Sequence, residues 1–187
     1  MIADQSAAPD ISTGNPALED SDLVAGLAAR GIRHLRVAGN AQMARCVTDT
    51  ALITALAANP KPRLREALTL LFLRQPQLAV SVPDIADNLA PAAAMTLRHF
   101  YAAATYLQRF WHSTLQLYLT DFRLLPDHFG QIVFHLPSPD DHFGEAGLRA
   151  LAAFFAEQTD HDWLSVYTAT MELFLKQLSL EQFSYAR

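Results

Sequence analysis

Cysteine is almost missing from this chain. Cys46 stands alone, so no disulfide can form within one molecule, and no motif surrounds the thiol to make it reactive. It reads as a small buried hydrophobe. Long hydrophobic runs are missing too: strongly apolar stretches such as Ala67–Leu73 are far too short to span a bilayer. The opening Met-Ile-Ala-Asp-Gln-Ser has no basic segment followed by an apolar run, which argues against an ordinary secretory signal. Together these features predict a cytoplasmic protein that does not contact membranes.

Chemical motifs are equally scarce. Neither G-x-x-x-x-G-K-[ST] nor G-x-G-x-x-G occurs, so phosphate cradling through those glycine loops is unsupported. There is no G-x-S-x-G elbow, no H-E-x-x-H and no cysteine pair to hold zinc. No cofactor is expected, and a non-catalytic role is favoured over an enzymatic one. Glycine numbers only 7, and charged residues make up 18% of the chain.

Hydrophobic residues supply 51% of the 187 positions, with 11 Phe, 5 Tyr and 2 Trp. Such a composition can bury a sizeable core, and abundant Ala and Leu favour helices. Residues 1–18 are small and polar without an apolar period, which predicts a flexible tail before a single α-helical domain over 19–187. Helices are expected from Leu23 to Ala29, from Ala41 to Ala58 behind Asn40, and from Arg63 to Arg74. A short helix follows Ser81-Val82-Pro83-Asp84. From Ala92 to Thr120, Leu97, Tyr101, Ala104, Leu107, Trp111, Thr114 and Tyr118 step by three and four residues. An unbroken helix of that length would reach about 40 Å, wider than a small domain. It must therefore kink, or project towards a partner. Two further helices are predicted, one through Leu148, Leu151, Ala152 and Phe155, the other from Asp162 to Leu178. Ile32–Val37 and Gln131–Phe134 could be brief strands but have no evident mates. The sum is an all-α, bundle-like domain of six or seven helices with one long helix near 92–120.

Three candidate surfaces follow. The aromatic stripe Tyr101, Trp111 and Tyr118 suits an interface, so the leading expectation is a helical interaction or accessory protein that forms a homo-oligomer or binds a protein partner. The second is a basic region over 30–65. Between Leu23 and Val80 lie Arg30, Arg33, Arg36, Arg45, Lys61, Arg63, Arg65 and Arg74, opposed only by Asp49 and Glu66, although the whole chain carries −5. Cations gathered there, Arg33, Arg36, Arg63 and Arg65 above all, could neutralise nucleic-acid phosphates. A solvated basic face, or one that pairs with the chain's own carboxylates, explains them equally well. The third is the His/Asp-rich segment 127–142, in which His128, His135 and His142 could serve a metal-dependent enzyme. Within it Asp-His-Phe-Gly occurs twice, at 127–130 and 141–144, each with a Phe placed to anchor a turn and a Gly to reverse the backbone.

Overall fold

The structure, a computed structural model, describes residues 18–35 and 47–185. Among these residues it is all-helical, with eight α-helices, two short 3₁₀ turns and no strand: α1 Asp20–Ala29, α2 Asp49–Ala58, α3 Pro62–Arg74, α4 Val82–Asp87, α5 Pro91–Phe110, α6 His112–Tyr118, α7 Glu145–Thr159 and α8 Trp163–Tyr185. The expected tail, Asn40, Cys46 and the start of the predicted Ala41–Ala58 helix lie outside the described residues.

Local chemistry sets the helix ends. Thr48 caps α2 by accepting a hydrogen bond from the Ala51 amide at 3.3 Å. Prolines open α3 and α5, where a missing N–H costs nothing. Asn59-Pro60 and Gln75-Pro76 close α2 and α3. Ser81 does not cap α4; its hydroxyl donates back to the Leu78 carbonyl at 3.0 Å. No helix among the described residues is long and apolar enough to cross a membrane.

Helix α5 occupies the centre and touches α2, α3, α4, α6, α7 and α8. It can do so because Ala102, Ala103 and Ala104, all fully buried, let neighbouring backbones come close, while Leu97, Phe100, Tyr101, Tyr106 and Leu107 fill the spaces between them. Helix α3 packs along it with Leu68, Leu70, Leu71 and Phe72 fully buried.

The expected long helix over 92–120 is broken at Trp111, whose φ/ψ of −101°/18° ends α5 and starts α6. Of the two outcomes the length allowed, the chain kinks. The run Phe110-Trp111-His112-Ser113-Thr114 is poor in strong helix formers. Turning there folds Leu115 into the core and lays α6 against α8. The break also raises the helix count above the expected six or seven.

Residues 119–140, which are irregular, are strapped to α5 by its polar groups. The hydroxyls of Tyr101 and Tyr106 donate to the Pro126 and Pro137 carbonyls, each at 2.8 Å. Gln108 brackets the strap at 2.7 Å twice, donating to the Arg123 carbonyl and accepting from the Leu125 amide. Arg109 donates to the Leu125 carbonyl at 2.7 Å. Gln131–Phe134 belongs to this strap as a turn, not a strand.

Candidate interaction face

The sequence-derived sites separate once folded. The three histidines of 127–142 do not converge: among the described residues, no three His, Cys, Asp or Glu side chains stand together as a metal-binding group. His128 stacks on Tyr101 with ring centroids 5.4 Å apart, and its Nε2 meets the Ala79 carbonyl at 3.1 Å. His135 and His142 are exposed, on left-handed backbone with φ of 54° and 47°. The two Asp-His-Phe-Gly copies also differ. In the first, Asp127 accepts from the Gly130 amide at 2.6 Å and Phe129 is buried. In the second, Phe143 is 78% exposed and Gly144, at φ +79°, backs onto the Tyr106 carbonyl. The sequence pattern assigned both phenylalanines to turn anchoring; only Phe129 serves it.

Half of the described cations of the basic region are paired within the chain. Arg30 pairs with Asp49 at 2.6 Å, Lys61 pairs with Asp20, and Arg74 pairs with Glu181 at 2.8 Å. Arg33 and Arg63 are exposed and Arg65 is half-buried, while Arg36 lies outside the described residues.

Of the aromatic stripe, Tyr101 is a core residue with no exposed surface, which removes it from any docking face. The same helical spacing serves a core helix and an interface helix, and α5 is buried throughout from His99 to Gln108. Trp111 and Tyr118 are half-buried. Tyr118 borders a cleft of about 770 Å³ between the ends of α3, α6 and α8, with the Arg74–Glu181 pair in its wall.

The face that stands out belongs to α8. Its inner stripe, Trp163, Tyr167, Met171, Phe174 and Leu178, is buried in the core. A second stripe runs along the other side: Val166, itself half-buried against the core, then Ala169, Leu173, Lys176, Leu180 and Phe183. These positions step 3-4-3-4-3, the spacing that keeps one seam facing a partner helix. Residues two apart on a helix point about 200° away from each other, so Leu173 looks out where Met171 looks in. Leu173, Leu180 and Phe183 are 52%, 59% and 72% exposed. Leu117 of α6 is exposed beside this end of α8, where the Gln182 side chain donates to its carbonyl at 3.0 Å. Glu172 and Lys176 flank or interrupt the seam, and neither forms an ion pair among the described residues.

A groove of about 240 Å³ opens beside Leu173, lined by Thr170 of the same helix, by Arg63, Glu66, Ala67 and Leu70 of α3, and by His34 and Leu35. Burial pushes the Glu66 carboxyl above its usual range, although the neighbouring Arg63, Arg65 and His161 side chains pull the other way. Burial also lowers the pKa of His34, which keeps that imidazole neutral near pH 7. Glu66 has no ion-pair partner among the described residues.

Comparison with protein-family models, with curated proteins and with solved structures finds no match to this chain.

Proposed function

We propose that the chain is a non-catalytic helical interaction protein that associates with a second copy of itself through the outward face of α8. One observation carries the reading: opposite its buried stripe, α8 exposes Leu173, Leu180 and Phe183. Large apolar side chains left exposed in a row along one helix face mark an interaction surface. The heptad-like spacing of Val166, Ala169, Leu173, Leu180 and Phe183 suits another helix with the same spacing.

A second copy meets that demand by symmetry. Two α8 helices placed antiparallel about a two-fold axis between Leu173 and Lys176 set Val166 against the partner's Phe183, Ala169 against the partner's Leu180, and Leu173 against the stem of the partner's Lys176. Each contact occurs twice, as an isologous interface requires. A lone lysine in a seam of this kind fixes register.

The test compares the wild-type chain with the Leu173→Glu/Leu180→Glu variant by size-exclusion chromatography with light scattering. The wild type is expected at twice the chain mass and the variant at the single mass with an unchanged circular-dichroism spectrum. A variant that elutes as the wild type does counts against this face.

A further inference from the structure

The groove beside Leu173 holds a half-buried carboxylate, Glu66, with no cation paired to it, and the seam carries a lysine, Lys176, with no anion paired to it. A carboxylate drawn partly out of water gains most from a cation brought to it under the same cover. Arg63 lines the same groove, but it is exposed and makes no ion pair with Glu66. Glu172 stands one helical turn before Lys176, the spacing of an intrahelical pair, yet among the described residues the two do not pair.

In the antiparallel arrangement Leu173 faces the partner's Lys176, so the groove that Leu173 borders lies directly beneath that side chain. We infer that the partner's Lys176 lays its four-carbon stem across Leu173 and delivers its ammonium to Glu66, so that the groove is the specificity pocket of the self-association. Lysine suits this task better than arginine: its compact charge sits on a flexible apolar stem that can run along Leu173 and Leu70. Two such pairs form per dimer, one on each side of the axis. The pair also explains a lysine in an otherwise apolar seam. Antiparallel pairing gives it an anion, and a parallel pair would set the two lysines against each other. This inference rests on the α8 reading above.

A charge-reversal cycle on the full chain, read as dimer dissociation constants by sedimentation, tests it. Glu66→Gln and Lys176→Met are each expected to weaken the dimer about tenfold, and the double variant by little more than either alone. Glu66→Lys or Lys176→Glu alone weakens it further, and the two together restore it to within about threefold of wild type. If Glu66→Lys fails to fold, the Gln/Met cycle decides on its own. Glu172→Gln, the control, is expected to leave the constant unchanged. Register is read separately, by mixing Ala169→Cys and Leu180→Cys chains and oxidising: the antiparallel seam predicts the mixed cross-link. A dimer that Leu173→Glu/Leu180→Glu dissociates but that is indifferent to Glu66→Gln, or whose two single effects simply add, overturns this inference and leaves the α8 reading standing. A wild-type chain that stays monomeric overturns both.

Discussion

The Tyr167 hydroxyl lies 2.5 Å from His99 Nε2, joining α8 to the central helix through a polar contact inside an otherwise aromatic box. The imidazole stacks on Phe155 at a centroid distance of 3.6 Å and on Phe100 at 4.6 Å, with Trp163 edge-on at 4.6 Å. This contact fixes the roll of α8 about its own axis, and so fixes which stripe of that helix faces outward.

Burial pulls the His99 pKa from 6.5 to about 3, with the Arg65 cation adding to the effect. The unfolded chain takes up a proton as pH falls through the ordinary histidine range, whereas the folded chain refuses it until about pH 3. His99 therefore contributes its stability in full above pH 6.5 and loses it as pH falls towards about 3, with a slope approaching about 1.4 kcal/mol per pH unit. Urea midpoints measured across that window are expected to fall more steeply for the wild type than for the His99→Phe/Tyr167→Phe variant. Equal slopes would remove His99 from the acid response.

Tyr167→Phe alone leaves the imidazole without its partner in a site closed to water. A loss of about 1–3 kcal/mol is expected in denaturant unfolding.

Gly147 sits within α7 against the Tyr106 ring, and a Cβ placed there would overlap that ring. Glycine inside a helix ordinarily gains stability on change to Ala. Here the sign reverses: Gly147→Ala is expected to cost about 3 kcal/mol, and much less in a Tyr106→Leu background. Thermal melts of the four proteins check the coupling.

Among the described residues of the basic region, Arg30, Lys61 and Arg74 are held by carboxylates. Mixed-sequence duplex and single strands are expected to show no salt-dependent binding. A steep log–log salt slope that flattens on Arg33→Gln/Arg63→Gln would favour the nucleic-acid reading instead.

The sequence announces its helices through residues that act locally. Proline at Pro62 and Pro91, the Thr48 cap and the Asn59-Pro60 stop need no tertiary context, and the inner stripe of α8 from Trp163 to Leu178 follows a plain three-and-four rhythm. That the helix must kink or project was legible from its length, but the position of the break at Trp111 was not, because no proline or glycine marks it; α6 turns onto α8 there. The histidines of 127–142 look like chemistry in sequence because the groups that organise the segment, Tyr101, Tyr106, Gln108 and Arg109, come from a helix well upstream. The outer stripe of α8 escaped for another reason. Apolar residues on two opposite faces cancel as a directional signal, and only the buried state of Met171 and Phe174 reveals that Leu173 and Leu180 point away from the core.

Sedimentation equilibrium of the wild-type chain from about 1 to 200 μM measures the self-association directly, since mass action must show in the apparent mass. The account predicts a weight-average mass that climbs from one chain towards two and stops there, as a closed two-fold interface requires. A single-chain mass held across the whole range would contradict it.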